Sequence, residues 1–441
     1  MHRVVKISVS RNRYPEIWEY ADGIAHLAKN LHNAALFRMR QNYTSLDYDT
    51  HTDNQRKVYD EMMLVMERYP DYHAGSVMSY AFLDKLMRVT ENPDYFAEGL
   101  PRQTANQILK SVCEEFRSFT ALLERYRKNR DEGMTRPHMP RYTRGEVCTF
   151  RFTNQDAVIY GRELKMPLTR LRLTLPAMPE GAVLKEVRVK PYMGRYIFLV
   201  TVDVPERKRD EAGSNMCGID LGVDNIAAIV CNDGSSKIYK GGAVLSEGRR
   251  YAREKAKAVS IITKGHERMH AASRHLSNIA YRHECFVTDQ LHKISGDIVD
   301  FAAGHGAGTI VIGVNRGMKS GSRLGKANSQ NLHAIPHYRL RQMIEYKAED
   351  MGITVISQEE SYTSKADATS EDFIPVYEKE KGTPSFSGNR RGRGLYECHN
   401  GKLINADLNG AANILRKAVP DAFRGIGDYG FLADPEVYRF A

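Results

Sequence analysis

The stretch Gly218-Ile219-Asp220-Leu221-Gly222-Val223-Asp224-Asn225 decides how the second half of this chain is read. The apolar run Met216–Leu221 predicts a strand with Asp220 at its end, and Gly222 leaves space beside the backbone before a second strand over Ile226–Cys231. Two later stretches set acids in comparable places. Glu359-Glu360-Ser361-Tyr362-Thr363-Ser364-Lys365 follows a strand expected at 353–357. Asn405-Ala406-Asp407-Leu408-Asn409-Gly410-Ala411-Ala412-Asn413 opens a helix expected from about Ala406 to Lys417, stopped by Pro420. A single strand-end Asp is commonly a turn former, and a first-turn Asp commonly faces the helix dipole. The information lies in the order of the three.

Outward from these stretches, a turn at Asn232-Asp233-Gly234-Ser235 leads to a third strand near Lys237–Lys240. Polar helices follow over 247–304, then a buried strand Thr309–Ile312, a basic Gly/Ser loop from Arg316 to Lys326, a helix near Ile335–Met351 and the strand at 353–357. A three-strand meander followed by helix, strand, helix, strand and helix is the order of an RNase H-like α/β fold. In that architecture the first strand, a neighbouring strand and a late helix each present an acid. Two Mg²⁺ ions about 4 Å apart can stabilise the attacking and leaving oxygens of a phosphodiester. Such hard ions take carboxylate oxygens, and carboxylates held that close repel one another unless cations neutralise them. Gly-Ile-Asp-Leu-Gly also opens the actin/Hsp70-type ATPase fold. That reading requires a second phosphate hairpin of the D-x-G-G type, which the sequence does not contain.

The first half reads as α+β. Residues 2–9 alternate as a strand does, and 15–132 are mostly helical, with Ile24, Leu27, Leu31 and Ala35, then Ile108, Val112, Phe116 and Leu122-Leu123, at helical spacing. From 146 to 206 short β-like runs alternate with turn residues, as in a small antiparallel barrel. The expected architecture is therefore multidomain: an N-terminal β-barrel from 1–12 and 135–210, a helical insertion over 13–134, and an RNase H-like domain over 211–441 with an insert at 361–404. The 441 residues carry a formal net charge of +10, which favours a polyanionic partner. No apolar run approaches the ~20 residues of a membrane span. A cytoplasmic, nucleoid-associated protein without a membrane partner is expected. The six cysteines stand singly, at 113, 148, 217, 231, 285 and 398, with no C-x-x-C pair, so neither a disulfide framework nor a zinc site is expected.

The second half resembles the transposon-encoded TnpB family, relatives of type V CRISPR effectors and of Fanzor proteins. The matching stretches are Asp220–Asn225, Glu360–Lys365 and Asp407–Ile414. The resemblance implies a wedge-type barrel holding a helical recognition insert and a RuvC-type nuclease domain. It further implies an RNA-guided DNA endonuclease, prokaryotic and transposon-associated, with a guide RNA (transposon-end or CRISPR-type) and target double-stranded DNA as partners. The implied cofactor is a pair of Mg²⁺ ions, with Mn²⁺ as a substitute, held by Asp220, Glu360 and Asp407. The usual family glutamate directly after the strand at 309–312 is here Gly313, which cannot ligate. A rearranged subset of the family places the acid just before the Thr-Ser pair, where Glu360 stands; Glu359 is the fallback and points the other way if the chain stays extended. The insert lacks the paired C-x-x-C of many relatives but holds Arg390, Arg391 and Arg393, which with Lys365 suit phosphate contacts. Arg316, Lys319, Arg323 and Lys326 are further contact candidates, placed near the site by the strand before them. A non-cutting RNA-guided repressor is the competing reading.

Overall fold

The computed structural model describes residues 2–45, 48–129, 135–178, 180–205, 213–264, 273–314, 335–376 and 384–438. The chain folds as a mixed α/β protein in two compact units, 1–206 and 207–441. No described helix is long and apolar enough to cross a membrane.

In the first unit the alternating N-terminus forms β1 (His2–Val9), followed in sequence by α1 (Pro15–Thr44), α2 (Asp53–Arg68), α3 (Tyr80–Val89) and α4 (Arg102–Lys128). The helical spacing read from the sequence supplies the core: Ile24, Leu31, Ala35, Ile108, Val112, Phe116 and Leu123 are buried. Leu122 instead faces solvent. Arg38 grips Glu61 in a bidentate pair at 2.8 and 3.0 Å, fixing α1 to α2. The short β runs become β2 (Phe150–Thr153), β3 (Val158–Tyr160), β4 (Glu163–Lys165), β5 (Arg172–Thr174), β6 (Val183–Tyr192) and β7 (Arg195–Asp203). They pair as two sheets. One is four-stranded and antiparallel, in the order β1-β7-β6-β2; the other is the meander β3-β4-β5. Three-residue strands pair most cheaply with their sequence neighbours, so β3 to β5 close on one another. Tyr196 of β7 donates to Asp22 of α1 at 2.7 Å, locking sheet to helix.

The second unit is built on a six-stranded sheet. Its strands are β8 (Asn215–Asp220), β9 (Asn225–Cys231), β10 (Ser236–Lys240), β11 (Ala307–Val314), β12 (Thr354–Glu359) and, at the far edge, β16 (Glu436–Tyr438). The spatial order is β12-β11-β8-β9-β10-β16. β8, β9 and β10 form the antiparallel meander, while β11 and β12 run parallel to β8 on its other side. The succession along the chain, a three-strand meander and then helix, strand, helix, strand and helix, is the one expected from the sequence. Parallel strands need crossovers, here supplied by α5 (Gly242–Thr263) with α6 (Arg274–Gly304), and by α7 (His337–Asp350). The insert adds a three-stranded sheet of β13 (Asn389–Gly392), β14 (Leu395–Glu397) and β15 (Leu403–Asn405), and leads into α8 (Ala406–Ala418).

Side-chain alternation sorts the sheet into two faces. Cys217, Ile219, Ile310 and Ile312 pack with Leu291, Ile294 and Ile344 of the crossover helices. Ala228, Val230 and Val311 pack with Leu408, Ala411, Ala412 and Leu415 of α8. Asp220, one residue past Ile219, therefore falls on the α8 side.

Candidate active site

α8 starts where the sequence places it. Asn405 is its N-cap, its side-chain oxygen accepting from the backbone N–H of Asp407 at 2.9 Å and of Leu408 at 3.2 Å. Asp407 thus sits in the first turn, at the positive end of the helix dipole. It also accepts a short hydrogen bond from the Asn225 side chain, which ties α8 to the start of β9. Asp220 ends β8 directly under this turn. A methyl group at Gly410 would fall 2.6 Å from Asp220 Oδ2, so α8 can lie over the carboxylate only because position 410 has no side chain. His337 of α7 holds the loop after Asp220, its Nε2 lying 2.7 Å from the Gly222 carbonyl.

Glu360 reaches the same place from β12. A Cβ at Gly313 would stand 2.8 Å from Glu360 Oε2. Glu359 turns away: its carboxylate takes 2.7 Å hydrogen bonds from the Lys417 ammonium and from the Ser361 backbone N–H. Lys417 is almost fully buried and also donates to the carbonyls of Ser361 and Pro375, both at 2.9 Å. Burial alone would raise the Glu359 carboxyl, but the bonds from Lys417 and Ser361 hold it below its ordinary value. The two neighbouring acids are therefore separated by structure, one structural and one facing Asp220.

The electrostatics report the convergence. Desolvation pushes the Asp220 carboxyl up to about 7, and the charges of Glu360 and then Asp407 act in the same direction, with Arg390 opposing. Among the described residues no group of three His, Cys, Asp or Glu side chains stands close enough together to hold a metal ion. The three acids are electrostatic neighbours and not a closed ligand shell. Their donor chemistry, carboxylate oxygens only, fits a hard divalent cation.

The residues between the second and third acids explain the two asparagines that accompany Asp407. Asn413, fully buried, donates to the carbonyls of Thr363 at 2.9 Å and Ala366 at 2.7 Å. Asn409, equally buried, donates to the Ala366 carbonyl at 2.8 Å and accepts from the Ala368 N–H at 2.9 Å. Thr363 closes the turn by donating to the Glu360 carbonyl at 2.8 Å. Together they clamp the loop that carries Glu360 onto the helix that carries Asp407. Spaced four apart, the two asparagines share one face of α8.

Beside Asp407 a cleft of about 580 Å³ is lined by Asp224, Asn225, Lys240, Arg390 and Arg393 among others. Lys240, a residue the sequence analysis did not select, and Arg390 face it together with Asp407. Arg393 reaches Asp224 at 2.6 Å. Arg391 is engaged with Glu397 across the insert hairpin, and Lys365 is exposed with its ammonium 5.8 Å from the Tyr362 ring. Arg316, Lys319, Arg323 and Lys326 lie outside the described residues. Cys398 and His399 belong to a polar knot on Asp367, whose carboxylate accepts from the backbone N–H groups of His399 and Thr369 at 2.7 and 2.8 Å, from the Thr369 hydroxyl at 2.7 Å and from His399 Nδ1 at 3.0 Å.

Comparison with known proteins bears on this arrangement. Residues 199–318 match the family model OrfB_IS605, described as "Probable transposase", and residues 337–414 match the "Cas12f1-like, TNB domain" model. Between them the two matches take in Asp220, Glu360 and Asp407. Over these stretches the chain is similar to the TnpB family and its Cas12f1-like relatives.

Among curated relatives, the CRISPR-associated endodeoxyribonuclease Cas12f1 of Sulfoacidibacillus thermotolerans is 34% identical over 131 residues, 30% of this chain and 26% of the relative. The TnpB-like protein ORF457 of Acidianus two-tailed virus is 25% identical over 213 residues, 47% of this chain and 42% of the relative. The chain thus spans less than half the length of either. A cryo-EM structure of a Cas12f1–sgRNA–target DNA complex shares the fold, with a TM-score of 0.50 and 15% identity, over 92% of this chain and 84% of that one.

Proposed function

We propose that this protein is an RNA-guided DNA endonuclease with one RuvC-type active site at Asp220, Glu360 and Asp407. The observation that carries the reading is the meeting of three acids, remote in sequence, on one patch where Asp220 loses its ordinary acidity. Such a patch is costly for packing and gains meaning only with a cation. The three carboxylates would hold two Mg²⁺ ions, with Mn²⁺ able to substitute. When bound, such ions activate water and stabilise the oxygens of a phosphodiester in hydrolysis.

The chain's own residues do the rest. Asn225 orients the Asp407 carboxylate, and Asn409, Asn413 and Thr363 set the height of the Glu360 loop over α8. Lys417 keeps Glu359 out of the centre. Lys240 and Arg390 would grip backbone phosphates in the adjoining cleft, with Arg391, Arg393, Lys365 and the basic stretch holding Arg316, Lys319, Arg323 and Lys326 as further contacts. The first unit, read as a wedge-type barrel with a helical recognition insertion, would hold the guide RNA and a short flanking duplex, leaving sequence choice to guide–target pairing.

The test is purification with bound RNA, sequencing of that RNA, and assay on matching double-stranded DNA. Divalent-cation-dependent cleavage is expected, and Asp220→Ala, Glu360→Ala and Asp407→Ala should each lower it on the order of 10²–10³-fold or more while target binding stays. RNA-bound protein that never cuts matched DNA would replace this reading with a repressor. Protein that binds no RNA would remove both.

A further inference from the structure

Cys217 of β8 stands directly opposite Cys231 of β9 in the antiparallel ladder. The rung beside them is hydrogen-bonded, the Asn232 N–H donating to the Met216 carbonyl at 3.0 Å. Hydrogen-bonded and open rungs alternate, so Cys217 and Cys231 share an open one, where facing Cα atoms approach to about 4.5 Å and side chains are closest. Disulfides span Cα separations of roughly 4.4–6.8 Å. Facing residues point to the same side of the sheet, and both cysteines pack without exposed surface into the core beneath the crossover helices. There the two thiols hydrogen-bond side chain to side chain. Both are free. Nothing in the acidic centre uses them, because they lie on the face turned away from α8.

We propose that Cys217 and Cys231 form a dithiol modification site, which oxidation closes into a disulfide that staples the β8–β9 hairpin. The oxidant is a hydroperoxide. One thiolate attacks a peroxide oxygen, the O–O bond breaks, and the departing hydroxide takes a proton to become water, leaving a sulfenic acid. The second thiolate attacks that sulfur, the S–O bond breaks, a second water leaves and the S–S bond forms. Two thiols are oxidised and one hydrogen peroxide is reduced to two waters. The staple ties the strand that ends in Asp220 to the strand that begins with Asn225. Closing a loop of about 15 residues constrains the unfolded chain far more than the folded one, so the oxidised protein is the more stable form. Burial makes the reaction slow while the hairpin stays shut.

Full-length protein is treated with hydrogen peroxide, in buffer and in urea below its unfolding midpoint. Remaining thiols are then alkylated, and mass spectrometry of the unreduced digest locates the bond. A 217–231 cross-link is expected in both media, sooner in urea, and dithiothreitol should remove it. The oxidised chain should melt about 5–10 °C above the reduced chain. That gain should be absent from Cys217→Ala and from Cys231→Ala. No 217–231 cross-link in either medium overturns the proposal. So does a cross-linked chain that melts no higher than the reduced one, or a gain that persists in both alanine variants. Where an alanine variant has lost its melting transition, the natural chain before and after dithiothreitol decides by itself.

Discussion

Asp220 and Asp367 are two carboxylates of the same unit, and burial presses on both in the same direction. They end on opposite sides of the ordinary carboxylate value. Asp220 is pushed up to about 7 by desolvation and then by Glu360 and Asp407. Asp367 has no exposed surface, and burial alone would raise it, yet hydrogen bonds from His399 and Thr369 hold it below the usual range. Supply of donors, and not depth, separates them. The Asp367 charge is answered by the protein, so it serves as a structural knot tying the Cys398-His399 turn to the 367–372 loop. The Asp220 charge meets Glu360 and Asp407, of its own sign, with Arg390 opposing, so the protein answers it less fully.

The largest effect expected from this contrast is on folding. Asp367→Ala leaves two backbone N–H groups, a hydroxyl and an imidazole without their acceptor, at a cost of about 3 kcal/mol. Asp220→Asn removes a charge that the fold answers less fully, so in the presence of a chelator its melting temperature should equal or exceed that of the natural chain. Thermal melting of both variants decides. Asp220→Asn melting as low as Asp367→Ala would dissolve the distinction between them.

The sequence carried part of this and physics explains the remainder. The strand end at Asp220 and the helix start at Asp407 were legible because alternation and an N-cap are local signals. So was the order of strands and helices, since a meander followed by crossovers admits few arrangements. Glu360 over Glu359 followed from strand alternation, but Lys417, the residue that enforces the choice from 58 positions away, left no local mark. Asn409 and Asn413 had no readable task because their partners are backbone carbonyls of a loop whose path only folding defines. Gly313 reads in sequence as a missing ligand; its use as empty space appears only when Glu360 and Ile414 are seen against it. In the first unit, β propensity at 158–160 and 172–174 predicted strands but could not choose their partners, and the short strand at 163–165 that pairs with both carried no readable signal.

The same pair of acids gives opposite pH dependences. For Asp220 the folded value, about 7, lies above the unfolded one near ~3.9. Between those limits the folded chain keeps a proton that the unfolded chain has released, so this group's contribution to stability falls as pH rises through the window and is level above it. For Asp367 the folded value is depressed. Its contribution is complete above about pH 4 and is lost as pH falls through the folded value. Cation binding should follow Asp220: Mn²⁺ affinity rises by up to about tenfold per unit as pH approaches 7 and then flattens, with proton release on the acid side. Calorimetry in buffers of different ionisation enthalpy measures that release. Equal affinity at about pH 6 and about pH 8 would show that the carboxyl is already ionised at the lower pH.

The smallest effect tests the neighbouring acids. Glu359→Gln keeps the shape of the side chain and weakens its bond to the buried Lys417 ammonium at 2.7 Å. The remaining carbonyl contacts of Lys417 at 2.9 Å still hold the ammonium, so about 1 kcal/mol of stability should be lost and no more. Cation-dependent cleavage should stay within a few-fold of the natural chain, because Glu360 leaves the clamped turn by its own route, with Thr363 and Asn413 unchanged. Glu360→Gln should behave in the opposite way, melting normally and failing to bind Mn²⁺. Cleavage rates and melting curves of the two glutamine variants, measured side by side, give the assignment. A Glu359→Gln protein that folds normally but no longer cuts would mean that the structural and the cation-facing acid have been exchanged.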